Sequence, residues 1–372
     1  MKITHVLAAS VSVVSILSAT LAPNLAVAEA HGDLVAAAEA EGRLSTIALP
    51  HDWCNYGGVI AGFKEMYPFL EITELNPDAG SADELEAVRA NIGNMGPQAP
   101  DVLDVGLAFG PQAQAEGLLQ PYMVSTWDTI PDDAKDAEGY WYGDYYGVMS
   151  FLVNTDLVDP VPTSFADLLR PEYAGQVAMA GDPRASNQAI LAVMAAGMAR
   201  GAEPGAAAAQ AGLEFFAELN AAGNFVPVIG KAGTLAQGTT PIVIMWDYNA
   251  LSARDTLAGN PPVEVVVPSD ASLAGVYVQA ISAHAPNPNA AKLWMEYLYS
   301  DVGQLGWLAG YCHPIRFNDM VERGVIPQEM MDALPPAESY AVAVFPTIDQ
   351  VNANREAVVA GWDTVVGANV VE

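Results

Sequence analysis

The stretch from residue 147 to 189 constrains the fold more than any other part of this 372-residue chain. Residues 147–153 are apolar and rich in β-branched and aromatic side chains, which predicts a buried strand. Residues 165–169 predict a short helix that a proline ends, and residues 176–180 predict a second strand. The polar turn GDPRASNQ then leads into a long helix. This order predicts an α/β unit, in which polar turns after strands line the ligand crevice.

Segments inside and outside this stretch carry a family resemblance. Residues 151–187 resemble the chain-crossing segment of the bacterial extracellular solute-binding proteins of ABC importers, in the branch that binds ferric iron, polyamines, thiamine and organophosphates. The WYG within residues 140–146 and the run APNPNAAKLWMEYLYSDVGQLGWL at 285–308 are similar to signature segments of that family. The resemblance implies an α/β, type II-like periplasmic-binding-protein fold, with two lobes and a ligand cleft between them.

The part of the chain before this stretch repeats a strand, a polar turn and a helix. Residues 44–49, 70–75 and 101–107 read as strands, and each is followed by a polar or glycine-containing turn. Consecutive units of this kind predict a parallel sheet in an α/β lobe.

The resemblance also implies how the chain is divided. Residues 31–150 together with 272–372 would form lobe one, and residues 151–271 would form lobe two with the crossing strands. We expect the cleft to close on its ligand by a hinge motion.

The N-terminus has the pattern of an export signal. Lys2 precedes a long apolar run that ends in the A-x-A sites Ala26–Ala28 and Ala28–Ala30. This predicts a cleaved signal peptide over residues 1–30, a mature chain that begins at Glu29 or His31, and a periplasmic location. The alternative for the same run is an N-terminal membrane anchor.

The charge of the chain limits its partners. The formal net charge is −30 and the isoelectric point is about 4.1. A chain this acidic repels nucleic acids and anionic membrane surfaces, so neither is an expected partner. The acidity suits a cationic ligand, and it suits a salt-adapted surface equally well.

The chain has two cysteines, Cys54 and Cys312. In an exported protein they are able to form one disulfide, and the alternative is two buried free thiols. A third interpretation joins Cys54, His313 and Asp52 in a Cys–His hydrolase. No nucleophile elbow, P-loop or dinucleotide fingerprint accompanies them, so we expect no enzyme activity and no cofactor.

The resemblance places cleft residues in lobe one at loops that follow strands. The positions that match the family's aromatic loop, its GS turn and its cleft strand are Trp53, Asn55, Tyr56, Ser81 and Gly106.

The run WDYN at residues 246–249 is the strongest candidate site in lobe two. It follows an apolar strand, and Trp246, Asp247 and Tyr248 offer aromatic faces and a carboxylate. Facing Trp53 and Tyr56 across the cleft, Trp246 and Asp247 would form a box for an ammonium group. The alternative is a tryptophan packed at the lobe edge, with Asp247 capping the next helix.

The turn GDPRASN is the second candidate site. Asp182 would bind a cation, as the matching acid does in the family's polyamine binders. Arg184, Ser186 and the helix N–H groups would instead bind an anion such as an organophosphate. A plain helix cap with an exposed arginine is the third interpretation.

Ferric iron is a further candidate ligand, because the family's iron binders use adjacent tyrosines at the WDYN position, where this chain has Tyr248. The sequence thus predicts a monomeric substrate-binding component of an ABC importer that delivers a small polar or charged solute to an inner-membrane permease. A cationic amine is the leading ligand, ahead of an organophosphate and ferric iron. The same sequence also fits a binding protein that presents its ligand to a sensor instead of a permease.

Overall fold

The computed structural model describes residues 31–334 and 342–371. The predicted signal peptide, residues 1–30, lies outside them. Within the described ranges, every helix is too short or too polar to cross a lipid bilayer.

The helices of these ranges are, in chain order, α1 (31–41), α2 (Tyr56–Met66), α3 (Ser81–Ala90), α4 (Phe109–Ala115), α5 (Asn187–Ala199), α6 (Ala206–Ala221), α7 (Ala232–Ala236), α8 (Asp247–Leu257), α9 (Pro288–Leu298), α10 (Asp301–Leu308), α11 (Phe317–Arg323), α12 (Gln328–Ala333) and α13 (Ile348–Val365). The predicted helix at 165–169 is a short 3₁₀ helix, Ala166–Leu169. The strands are β1 (Arg43–Ile47), β2 (Glu71–Leu75), β3 (Val102–Gly106), β4 (Leu119–Gln120), β5 (Trp141–Asn154), β6 (Val177–Met179), β7 (Ile242–Trp246), β8 (Val263–Val266), β9 (Ala274–Ser282) and β10 (His313–Pro314).

The sheets are mixed, although the sequence predicted a parallel sheet for the first lobe. The pairs β1–β2 and β6–β7 are parallel, whereas β9 pairs antiparallel with both β3 and β5. The prediction failed because β9 comes from residues 274–282, far along the chain, and inserts between two strands of the first half. Repeated strand–turn–helix units carry no information about such a distant partner.

Strand β5 joins the two lobes. Its first part, from Trp141 to Val148, pairs with β9, and its second part, from Met149 to Asn154, pairs with β7 and β8. The strand is longer than the predicted 147–153 because the aromatic run before it is also extended. We call the half of the fold around β3 and β9 the first lobe, and the half around β6, β7 and β8 the second lobe.

The chain passes between the lobes at three adjacent places. The Met149 N–H donates to the Leu273 carbonyl at 2.9 Å, and the Ala274 N–H donates to the Val344 carbonyl at 2.9 Å. Residues 148–149, 273–274 and 344 therefore form one hydrogen-bonded ribbon. A closing motion of the two lobes would bend the chain at this ribbon.

The last helix belongs to the second lobe by its contacts. The Trp362 ring on α13 packs against Phe216 on α6, with ring centroids 5.7 Å apart. The Ile229 N–H donates to the Val371 carbonyl at 2.8 Å. The sequence division had placed residues 272–372 in lobe one, whereas the structure packs residues 348–371 on lobe two. Nothing local to this helix signals which lobe it covers.

Candidate functional site

A cavity of about 350 Å³ lies between the lobes. The first lobe supplies the loop before α2, the start of α3, and residues of β3 and β9. The second lobe supplies the turn before α5, the loop before α7, and one face of α8. This volume is in the range of small-molecule sites, and the position at strand ends and helix starts is typical of an α/β ligand crevice.

A chain of hydrogen bonds fixes the aromatic wall of the cavity. The Trp53 indole N–H donates to the Tyr145 hydroxyl at 2.7 Å, and that hydroxyl donates to Asp104 Oδ2 at 2.7 Å. The edges of Tyr248 and Tyr277 pack on the Trp53 ring, each with centroids 5.4 Å away. Trp53 is therefore held in one orientation beside a buried carboxylate.

Two side chains at the start of α3 accept hydrogen bonds from the backbone N–H groups on the outer edge of β3. The Asp104 N–H donates to Glu84 Oε2 at 3.0 Å, and the Gly106 N–H donates to Ser81 Oγ at 3.1 Å. Without these partners the N–H groups of an edge strand would be buried unpaired. The arrangement brings Glu84 and Ser81 to the cavity because β3 ends there.

The cavity lining is strongly acidic. Six carboxyl groups contribute to it: Asp52, Asp78, Asp83, Glu84, Asp104 and Asp182. Lys231 is the one basic residue among its described lining residues, and its Nζ lies 3.9 Å from Asp78 Oδ1. Burial raises the pKa of Glu84 well above its usual value, and it raises the pKa of Asp104 to about 6.

Two adjacent amide side chains, Asn187 and Gln188, contribute to the wall from the second lobe. Gln188 Nε2 donates to the Ala180 carbonyl at 2.8 Å, and Gln188 Oε1 accepts from the Trp246 N–H at 2.6 Å. Asn187, beside it at the start of α5, lies against Gly106 of the first lobe. The two lobes therefore approach each other closely at this end of the cavity.

Of the residues predicted for the site, four line the cavity: Trp53, Ser81, Asp182 and Ser186. Asn55 and Tyr56 point into the first lobe instead. Asn55 Nδ2 donates to the Gly306 carbonyl at 3.0 Å, and the fully buried Tyr56 hydroxyl accepts from Gln279 at 2.9 Å. Both follow Cys54 in a loop that turns into α2, so their side chains point toward the core rather than the cleft.

The WDY residues stand at the hinge rather than in the cavity lining. Trp246 is fully buried against Gly275, and Tyr248 is fully buried against Gly147. Asp247 Oδ1 accepts from the Val148 N–H at 2.8 Å. A side chain at either glycine would overlap these rings, so the glycines make room for them beside the crossing strands. The predicted strand end is correct, but its side chains fill the hinge.

Arg184 is already engaged by its own turn and by the C-terminal segment. Its guanidinium bonds both oxygens of Asp182, at 2.9 Å and 2.7 Å, and it lies 3.4 Å from Asp363. It also donates to Asn369 Oδ1 at 3.2 Å. The arginine thus ties the turn to the segment after α13 and is not among the lining residues.

Sequence reasoning missed the lining residues Asp78, Asp83, Glu84, Asp104, Asn187, Gln188, Lys231 and Tyr277, and it quoted Asn249 only within its motif. The sequence did contain a signal for two of these residues, Asp104 and Asn187. Asp104 lies two positions before the predicted Gly106, so both share one face of the strand. Asn187 directly follows the predicted Ser186 at the helix start.

We expect Asp247→Ala to destabilise the fold while leaving ligand affinity nearly unchanged. The substitution removes a charged acceptor from a buried backbone N–H, which costs about 1.5–3 kcal/mol. Urea unfolding measures the loss, and calorimetry on the folded variant measures affinity. Asn249→Ala, on the cavity side of the same helix, is the matched variant. A large loss of affinity with unchanged stability would return Asp247 to the binding site.

Cys54 and Cys312 are joined by a disulfide, with their Cα atoms 5.4 Å apart. The sulfur of Cys54 is therefore bonded and is not a nucleophilic thiolate. His313 lies stacked on Tyr146, with centroids 5.0 Å apart, and burial lowers its pKa to about 4. The Cys–His hydrolase interpretation loses its nucleophile.

Known structures share this fold. AfuA from Actinobacillus pleuropneumoniae, a periplasmic binding protein with fructose-6-phosphate bound, is 20% identical; the match covers 88% of this chain and 99% of that chain, with a TM-score of 0.66. Iron-bound HitA from Pseudomonas aeruginosa is 17% identical, with coverages of 85% and 97% and a TM-score of 0.60. MotA from A. tumefaciens B6, in complex with glucopine, is 16% identical, with coverages of 87% and 99% and a TM-score of 0.67. These similarities confirm the predicted two-lobed fold.

The family is shown by sequence as well. A family model described as bacterial extracellular solute-binding protein matches residues 98–338, which include β3, the hinge strands β5 and β9, and the strands of the second lobe. Together with the interlobe cavity and the two-lobed fold, this match confirms the predicted family. The chain belongs to the bacterial extracellular solute-binding proteins, the substrate-binding components of ABC importers.

Proposed function

We propose that this chain binds a small organic cation, an ammonium compound, in the cavity between its lobes and delivers it to an ABC permease in the inner membrane. It acts as a monomer in the periplasm and has no catalytic step. The observation that carries the proposal is the lining, which holds six carboxyl groups and, among its described residues, one basic residue, Lys231. A desolvated cation gains most where fixed carboxylates surround it.

The helix starts at the cavity support a cation over an anion. The N-termini of α3 and α5 would ordinarily favour phosphate. At α3, however, Asp83 accepts from the Gly80 N–H at 3.0 Å, and at the turn before α5 Asp182 accepts from the Arg184 N–H at 2.9 Å. Asp83 lies in the first turn of α3, so a phosphate bound at that helix start would meet a like charge.

The tyrosines give ferric iron little support. Iron ligation by tyrosine requires the phenolate. Tyr248 is buried at the hinge, and burial raises the pKa of both Tyr248 and Tyr277, which favours the neutral phenol. Over residues 31–334 and 342–371, no group of three or more His, Cys, Asp or Glu side chains is arranged to hold a metal ion.

Mass spectrometry of ligand released from freshly purified protein tests the proposal. We expect the released compound to carry net positive charge at neutral pH. Adding it back should raise the melting temperature, because a ligand that binds only the folded state stabilises it by about 2.7 kcal/mol at a concentration 100 times Kd. An anion such as a sugar phosphate, released stoichiometrically, would overturn the proposal. Heat-stripped protein without added ligand is the control.

A further inference from the structure

Two buried polar atoms in the cavity lining lack a hydrogen-bond partner. One is Asp104 Oδ1 in the first lobe, and the other is Asn187 Nδ2 in the second lobe; neither atom has a hydrogen-bond partner within 3.5 Å. The polar groups nearby are the Tyr277 hydroxyl for Asn187, and Tyr56 and Asp144 for Asp104. Asp104 is 6% exposed and Asn187 is 2% exposed. Because a buried polar atom without a partner destabilises the protein, two such atoms at one cavity point to a ligand that satisfies them.

The backbone sets the two atoms close together. Asp104 and Gly106 are two positions apart on β3, so they share one face of the strand and their Cα atoms are about 7 Å apart. Asn187 lies directly against Gly106, which has no side chain to exclude it. The Asp104 carboxyl and the Asn187 amide are therefore within reach of one small molecule that lies along β3.

We propose that the ligand is a primary or secondary ammonium compound that donates an N–H to Asp104 Oδ1 and carries a nearby hydroxyl or carbonyl oxygen that accepts from Asn187 Nδ2. This rests on the proposed function and narrows its ligand class. The first lobe binds the ammonium group of the ligand through Asp104, and the second lobe binds its oxygen through Asn187.

The aromatic residues argue for N–H donors over a quaternary ammonium. Recognition of a quaternary nitrogen uses a cage of aromatic faces. Of the rings predicted to form such a box, Tyr56 and Trp246 are buried away from the cavity. Trp53 and Tyr277 are the aromatic residues among the described lining residues. Unpartnered oxygen and nitrogen atoms, in contrast, require hydrogen bonds.

The surroundings of Asp104 supply no positive charge. The titratable groups that face it are acids and phenols: Tyr56 on α2, Glu84 on α3, Asp144 and Tyr145 on β5, Tyr248 on α8, Tyr277 on β9, and Tyr299 after α9. An ammonium ligand would be its first cationic neighbour and would favour the ionised carboxylate. Since burial raises the pKa of free Asp104 to about 6, binding below that pH must release a proton. Affinity should then fall by up to about tenfold for each pH unit below 6.

Calorimetry on Asp104→Asn tests the anchor, with Asp33→Asn on the exposed first helix as the matched control. The probes are the compound released from the protein and a series of amino alcohols of two to five carbons, each paired with its N-trimethyl analogue. We expect the primary amine to bind wild type more tightly than its trimethyl analogue, and Asp104→Asn to lose about 10- to 100-fold in affinity. The weakening below pH 6 should also disappear in this variant. Asn187→Leu should weaken the amino alcohol and leave the alkylamine without a hydroxyl unchanged.

The outcomes separate this inference from the proposed function. Trimethyl analogues that bind as well as primary amines, or an amine that binds Asp104→Asn as tightly as wild type, overturn the anchor and leave the cationic ligand intact. The comparison of amines with their trimethyl analogues uses wild-type protein alone, so it holds even if Asp104→Asn fails to fold. A released anion, or failure of the released compound and of every amine in the series to bind, overturns both.

Discussion

Gly106→Ala is expected to weaken ligand binding about 5- to 150-fold while the protein stays folded. A Cβ at residue 106 would overlap the Asn187 amide, which belongs to the opposite lobe. Asn187 must shift or the lobes must move apart, and overpacking of this kind costs about 1–3 kcal/mol. Calorimetry measures the affinity. Small-angle scattering should show a larger radius of gyration for the ligand-saturated variant than for ligand-saturated wild type.

Two further variants make this result specific. Gly32→Ala adds a methyl group where nothing lies within 4 Å, so it should leave both measurements unchanged. In an Asn187→Ala background, Gly106→Ala should add little to the loss already present, because the overlapping amide is gone. Full additivity of the two substitutions would show that Gly106 and Asn187 do not meet in the bound state.

Removing the disulfide is expected to lower the free energy of unfolding more than Asp247→Ala does. Cys54 and Cys312 are 258 residues apart, and the chain-entropy model assigns about 5.5 kcal/mol to a loop of that length. We expect Cys54→Ala/Cys312→Ala to unfold at a much lower urea concentration than wild type. Ligand binding should weaken as well, since Cys54 adjoins Trp53 on the cavity wall.

Thiol labelling under denaturing, non-reducing conditions checks the bridge directly. Wild type should show no free thiol, and wild type treated with a reductant should unfold like the double variant. Two free thiols per chain in the exported protein would refute the bridge.

The order of the strands and helices was predictable because local residue patterns determine it. Strand β2 at Glu71–Leu75 and strand β3 at Val102–Gly106 lie where the sequence predicted them. The insertion of β9 between β3 and β5 depends on a contact between distant segments, which local patterns do not encode. The packing of α13 on the second lobe is non-local for the same reason.

The site was predicted at the level of loops and missed at the level of side chains. The sequence identified the strand end at WDYN, but which way Trp246 and Tyr248 point depends on the glycines opposite them, Gly275 and Gly147. The sequence predicted aromatic and charged residues as the ligand-binding groups. In the structure those of the WDYN run build the hinge, and the amides Asn187 and Asn249 line the cavity.

The last helix packs on the second lobe. The two ends of the described chain, residues 31 and 371, therefore lie on different lobes. Helix 31–41 is held to the first lobe through Glu41, which accepts from the Asn289 N–H at 2.9 Å. Val371, at the other extremity, pairs with Val228 of the second lobe. We therefore expect opening or closing of the cleft to change the distance between these points. A donor and an acceptor fluorophore attached there would turn ligand capture into an optical signal without touching the binding surface.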